Sequence, residues 1–228
     1  MHIPDGYLSP ATCGIMYAVA VPLWARAITV IRRTFNDRSL PLLAILSAFS
    51  FIIMMFNLPV PGGTTAHAVG GVLMAILLGP WAAFIGESIA LVVQALFFGD
   101  GGITAIGANC FNMGFVLTFT GYFFYWIISR NSALNSRRRW IAAAVGGYAG
   151  INAAAFMVAI ELGIQPYFFH TSGGVPLYCP YGLNQTIPAM VIAHLFIGFI
   201  EAAITAAVVV FLGKYHPEVF KFNLKEVR

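Results

Sequence analysis

The chain has 228 residues, of which 60% are apolar and only 9% charged; its net charge is +4 and its mean hydropathy +0.85. This composition excludes a soluble globular domain and is that of a polytopic helical membrane protein. Three cysteines, Cys13, Cys110 and Cys179, are too few and too scattered for a disulfide framework or a paired-cysteine metal site.

The chain opens on MHIPDGYLSP. No basic residue precedes the first apolar stretch, so this segment does not read as a cleavable signal peptide. Because His2 is large, Met1 is expected to escape removal by methionine aminopeptidase. A free amine, one peptide nitrogen and an imidazole then follow in immediate succession. Together they can close two fused chelate rings around one ion and fill three corners of a square plane, a geometry that suits Ni(II) or Cu(II). A fourth nitrogen must come from elsewhere. The PDG at 4–6 is a turn signal, with Pro4 fixing φ and Gly6 accepting a positive one. Such a turn would fold the terminus back into the bundle.

Apolar spans follow in order: about Ala11 to Ile31, Leu40 to Leu58, a longer region from Ala66 to Phe98 cut by Gly79-Pro80, then Ile103 to Ile128, Trp140 to Gly163 and Ile187 to Leu212. Residues 67–79 supply only ~20 Å of helix, short of the ~30 Å hydrocarbon thickness. The PVPGGTTAH segment before them is therefore expected to dip into the membrane, where irregular backbone must be buried in protein or line a cavity.

Of the 12 Lys and Arg residues, all but Arg26 lie in three connections: Arg32, Arg33 and Arg38; Arg130 and Arg137 to Arg139; and Lys214, Lys221, Lys225 and Arg228. Segments 59–66, 99–102 and 164–186 carry none. Cytoplasmic placement of the basic connections requires an even number of crossings between them. Gly79-Pro80 must then be a tight cytoplasmic turn. The expectation is an all-α bundle of seven transmembrane helices forming one domain over 1–228, with the N-terminus outside and 213–228 as a short basic cytoplasmic tail.

This topology puts Met1 and His2 on the same face as His67, which either serves as the fourth ligand or forms a hydrogen bond at a helix start. His170 lies in the outer loop, His194 within the seventh span and His216 in the tail. Glu87, Glu161 and Glu201 are membrane carboxylates and hence functional candidates, although interhelical hydrogen bonding is an equal reading. Asp100, in FGDGG, reads as an outer turn residue. Asn109 and Asn112 share a helical face and either support a ligand histidine through a hydrogen bond or act as polar glue. The small-residue run AAAVGGYAGINAAA at 142–155 permits close approach of another helix, in this chain or on a partner.

MHIPDGYLSP, PGGTTAH around His67 and FGDGGITAIGANCFNMG together resemble the substrate-capture subunit of energy-coupling-factor nickel and cobalt transporters (the NikM/CbiM family), over essentially the whole chain. The resemblance implies a metal held by the Met1 amine, the His2 amide and imidazole, and His67. It also implies residence in a bacterial or archaeal cell membrane, a transmembrane coupling subunit and a cytoplasmic ATPase pair as partners. A small extra membrane protein is often present too, and here would be separate because the chain ends at Arg228. No ATP-binding loop, HExxH or GxSxG occurs, so neither a catalytic site nor a catalytic cofactor is expected, and ATP would be used by other chains. Nucleic acid is not an expected partner. Ni2+ is the expected cargo, with Co2+ for cobalamin synthesis the alternative. A membrane redox subunit with His67 and His194 as haem ligands is a more distant alternative.

Overall fold

The computed structural model describes residues 1–37, 39–60 and 64–222. Arg38, Lys225, Arg228 and the 61–63 part of the expected re-entrant segment lie outside the described residues. Among the described residues nine α-helices carry the fold: α1 (Pro10–Thr34), α2 (Ser39–Met54), α3 (Gly71–Leu78), α4 (Pro80–Val93), α5 (Ile106–Asn109), α6 (Leu117–Ser129), α7 (Arg137–Gly163), α8 (Gln165–Phe168) and α9 (Leu183–Tyr215). Two π-helical stretches, Gln94–Phe98 and Cys110–Val116, prolong α4 and join α5 to α6. Leu58–Val60 (β1) and Thr64–Ala66 (β2) pair antiparallel, Leu58 opposite Ala66.

Each of the seven expected segments is helical, but among the described residues five helices are long and apolar enough to cross a membrane: 10–34, 80–98, 106–129, 137–168 and 183–215. The second, α2, has 16 residues. It stops at Met54 rather than running to Leu58, because Leu58 enters the hairpin. The third is shorter than residues 67–79: α3 has 8 residues, or ~12 Å of rise. Its start is delayed because residues 67–70 are irregular and Gly70, at φ +81, caps the helix from the left-handed region. Gly79 ends α3, and Pro80 opens α4 at a position where its missing N–H is not needed.

Apolar side chains cover the outside as well as filling the core, and polar ones are buried among them. Phe97, Phe196, Phe199 and Ile45 are exposed, whereas Glu87, Glu201, His67, His194 and Asn112 are buried. Every residue of α3 is buried, as expected of a helix apolar on all sides at the centre of a bundle. The small-residue run finds its partners inside the chain. Gly146 meets α6, where an added Cβ would lie 2.7 Å from the Gly121 carbonyl oxygen, and Gly147 faces Thr205 of α9. Close backbone approach of this kind supports helix association through packing alone.

The N-terminal segment folds into this bundle. Gly6 sits at φ +84, completing the expected turn. Ser9 caps α1 by accepting from the Thr12 N–H (3.0 Å), and its own N–H donates to Gln165 Oε1 (3.0 Å). The Cys179 N–H donates to the Tyr7 carbonyl at 3.1 Å, which ties the segment to the connection before α9.

Candidate metal site

Two hydrogen-bonded clamps hold the terminus. Asn109, where α5 meets the second π-helical stretch, reads the backbone of Ile3 on both sides: the Ile3 N–H donates to Oδ1 (2.8 Å) and Nδ2 donates to the Ile3 carbonyl (3.1 Å). The Asp5 carboxylate accepts from the Ile103 N–H (3.1 Å), the Thr104 N–H (2.8 Å) and the Thr104 hydroxyl (2.5 Å). The Thr104 bonds hold this carboxyl below its ordinary pKa. The FGDGG loop lies against the same segment. A Cβ on Gly102 would fall 2.4 Å from the Asp5 nitrogen, and one on Gly101 3.3 Å from His2 Cδ2.

These clamps bury Met1 and Ile3, at 2% and 0% exposure, and bring three nitrogens together. His67 Nε2 lies 3.1 Å from His2 Nδ1 and 3.4 Å from the Met1 amine. Each ring's outer nitrogen faces an oxygen. His67 Nδ1 donates to the Ala68 carbonyl (3.1 Å), and His2 Nε2 donates to Gln94 Oε1 (3.1 Å). These partners assign both tautomers, so both inner nitrogens present lone pairs to one another. Two facing lone pairs are repulsive unless a cation lies between them.

The order of the nitrogens also fits a square. With metal–nitrogen bonds of ~2.0 Å, adjacent corners of a square plane are ~2.8 Å apart. His67 Nε2 is next to both the amine and the imidazole, which leaves the corner opposite it for the His2 amide. The observed edges are a few tenths of an ångström longer.

Burial disfavours protonation here. It lowers the Met1 amine from 8.0 to about 5 and the His2 imidazole from 6.5 to about 4, and pushes His67 well below its ordinary value. Asp100 opposes the shift at Met1 and His2; its Oδ1 lies 3.4 Å from His2 Nδ1. The cleft therefore has neutral nitrogen donors and one adjacent carboxylate, an arrangement suited to a cation.

The loop carrying His67 is braced from two helices. Glu201 of α9 accepts from the Val69 N–H (2.7 Å) and the Gly70 N–H (2.9 Å). The Ser50 hydroxyl of α2 contacts the Val69 carbonyl (2.7 Å) and Glu87 Oε2 (2.8 Å).

Met1, His2 and His67 thus converge, and Asn109 supports the segment through Ile3 rather than through a histidine. Asn112 is elsewhere: its Nδ2 donates to Glu161 Oε2 (2.8 Å), joining the π-helical stretch to α7. His170 is bound to its own loop and His216 pairs with Glu218 at 3.2 Å. His67 Nε2 is turned toward Met1 and His2. Among the described residues, no three His, Cys, Asp or Glu side chains gather into a metal cluster; the convergence here is of two imidazoles and the chain terminus. Sequence reasoning missed Gln94 and the role of Asp100. The signal for the first was a lone amide in the apolar run ALVVQALFF.

A helical bundle with exposed apolar faces and a buried, nitrogen-lined cleft built on its own N-terminus has the character of a membrane protein with donors suited to a metal cation. Residues 2–219 match the family model described as "Cobalt uptake substrate-specific transmembrane region" (CbiM). The chain is 53% identical over 219 residues to the fused nickel transport protein NikMN of Rhodobacter capsulatus, covering 96% of this chain and 63% of that one. It is 48% identical to the probable fused nickel transport protein LarMN of Lactiplantibacillus plantarum, covering 95% and 66%. It thus spans about two thirds of the length of these fused relatives. A solved structure, described as a truncated transition metal transporter, superposes with a TM-score of 0.89 at 54% identity, covering 95% of this chain and 100% of that one. The chain belongs to the CbiM family of metal-uptake transmembrane proteins.

Proposed function

We propose that this chain is the substrate-capture subunit of an energy-coupling-factor importer of Ni2+, with the ion bound by the Met1 amine, the His2 amide and Nδ1, and His67 Nε2. The observation that carries the reading is the 3.1 Å approach of two imidazole nitrogens whose outer N–H groups are both engaged. Loss of the amide proton on binding makes a strong-field square of nitrogens, which favours Ni(II) over the softer or all-oxygen alternatives. Raw affinity would favour Cu(II), so a rigid site or limited copper availability must supply the selection.

In this reading the chain crosses a bacterial or archaeal cell membrane seven times, N-terminus outside, with 213–228 inside and lipid around the exposed apolar faces. A transmembrane coupling subunit and cytoplasmic ATPases drive reorientation, and a small additional membrane subunit joins them. The fused names of the nickel relatives support a further module of that kind. Co2+ is the second reading, favoured by the description of the matching family model.

The test is stoichiometric Ni2+ and Co2+ binding by detergent-purified protein, with the native start and with one Ala inserted before Met1. One-to-one binding that collapses on insertion is the expected result, and the preferred ion separates nickel from cobalt. Undiminished binding after insertion would remove the amine from the ligand set.

A further inference from the structure

We propose that Asp100 supplies the counter-charge of the loaded cleft: its carboxylate draws the hydrated cation to His2 and neutralises the complex once formed; this rests on the capture reading above. Two carboxylates lie against the N-terminal segment, and their surroundings are opposite. Asp5 is engaged by the N–H groups of Ile103 and Thr104 and by the Thr104 hydroxyl. The Asp100 carboxylate has no such donors. Its Oδ1 lies 3.4 Å from His2 Nδ1, and its Oδ2 is buried with no hydrogen-bond partner among the described residues. A buried carboxylate oxygen left in this way is costly and calls for an explanation.

The loop is built to hold the carboxylate there. Gly99 and Gly101, on either side of Asp100, both lie in the left-handed region, at φ +67 and +92. Between them the Asp100 N–H donates to the Gln94 carbonyl (3.2 Å), and Gln94 Oε1 holds the far side of the His2 ring. The carboxylate thus meets His2 at Nδ1, the nitrogen that faces His67, and not at the outer N–H where an orienting carboxylate binds. The sequence supplies little to balance it, since 1–25, 39–129 and 140–213 contain no Lys or Arg. Among the described residues its ionic contact is with His2, whose imidazole is neutral in the ligating form. Charge counting identifies the missing partner. A divalent ion bound by a neutral amine, two neutral imidazoles and an amidate leaves one positive charge over, and the Asp100 carboxylate cancels it. Such cancellation matters in a cleft shielded from water. Asp100 is also the more accessible group, its side chain 25% exposed against 6% for His2, so an arriving ion meets the carboxylate first. Aqueous Ni(II) sheds its waters slowly, and its capture rate therefore follows how strongly the hydrated ion is held beside the ligands beforehand. A fixed negative charge raises that local concentration.

The test uses detergent-purified protein and nickel chloride. It reads the equilibrium affinity, the association rate by stopped-flow, and the dependence of that rate on ionic strength. Asp100→Asn keeps the shape and removes the charge, whereas Asp100→Glu keeps the charge on a longer stem. In Asp100→Asn the affinity is expected to fall about tenfold or more, mainly through slower association with a shallower salt dependence than the parent's. Asp100→Glu is expected to recover the salt dependence and part of the affinity. Parent affinity and rate in Asp100→Asn overturn the proposal. So does a loss of affinity with association rate and salt dependence unchanged, since Asp100 would then act on geometry and not through charge. Should Asp100→Asn fail to fold, Asp100→Ser, which also removes the charge, is read in the same way. His67→Ala, measured alongside, separates the levels. Full affinity there sinks the capture reading itself; lost affinity there with parent behaviour in Asp100→Asn removes the counter-charge alone.

Discussion

His2 and His67, far apart in sequence, face each other with 3.1 Å between Nδ1 of one ring and Nε2 of the other, and each outer nitrogen is bonded to an oxygen. The fixed tautomers make the pair a preorganised donor set rather than a hydrogen bond. If the pair holds the ion as proposed, its strength as a ligand set would depend on groups that do not touch the ion.

Gln94 is the first of these. Its Oε1 orients the His2 ring and its Nε2 approaches the Phe51 carbonyl (3.4 Å). Gln94→Leu keeps the apolar packing and removes the orienting acceptor. Its Ni2+ affinity, measured by calorimetry, is expected to fall about 10- to 100-fold with no change in one-to-one stoichiometry. Unaltered affinity would mean that packing alone sets the ring.

Gly102 tests the path of the terminus. A methyl group there would lie 2.4 Å from the Asp5 nitrogen, with backbone as the obstacle. Gly102→Ala is expected to dislodge residues 1–5, abolishing tight Ni2+ binding while the helical circular dichroism stays that of the parent. Gly102 is not one of the proposed ligands, so retained binding would show that the segment can dock by another route.

The pH dependence follows from burial of the amine and imidazole. A base whose pKa is depressed in the folded chain releases its proton on folding, so stability rises with pH. For Met1 the window runs from 8.0 down to about 5, and for His2 from 6.5 down to about 4. The metal-free protein is expected to hold its full Tm above about pH 8 and to lose it progressively as pH falls through both windows. Thermal melts in detergent across this range check it; a flat Tm would contradict a buried amine. Nickel affinity should rise about tenfold per pH unit near neutrality, from the single amide proton still to be released, and more steeply below about pH 5.

Glu201 braces the loop behind His67. Glu201→Ala leaves the Val69 and Gly70 N–H groups without their acceptor, a loss of about 1–3 kcal/mol for each buried group left unpaired. A lower Tm and weaker Ni2+ binding are expected together, whereas Glu201→Gln, which still accepts one bond, should fall between. A Tm drop with unchanged affinity would confine Glu201 to the fold.

Much of the scaffold was legible because its signals are local. Hydropathy located the helices, Gly79-Pro80 marked the break between α3 and α4, and PDG gave the turn at Gly6. The donors at Met1 and His2 were legible because they stand in consecutive residues, whereas His67 stayed open between a ligand and a helix-start hydrogen bond until its Nε2 was placed beside both. What escaped depends on tertiary register. The π-helical stretches begin at Gln94 and directly after Asn109, and the extra residue in each turn changes the facing of every side chain beyond it. Thus Asn109 reaches Ile3 while Asn112, nominally on the same face, pairs with Glu161. Helical spacing alone gives no hint that Gln94 and Asp100 meet at His2.

The anchoring of the first nine residues has a consequence for biosynthesis. Ile3 is held by Asn109, Ser9 by Gln165 and Tyr7 by the Cys179 N–H, so the peptide made first is secured by partners made much later. The terminus must wait undocked until Asn109 has been made, about half of the way along the chain, and is fully secured only when Gln165 and Cys179 follow, because closure of so long a loop is unfavourable until its contacts exist. Under the proposed capture role, ion binding would then come late, once these partners are in place.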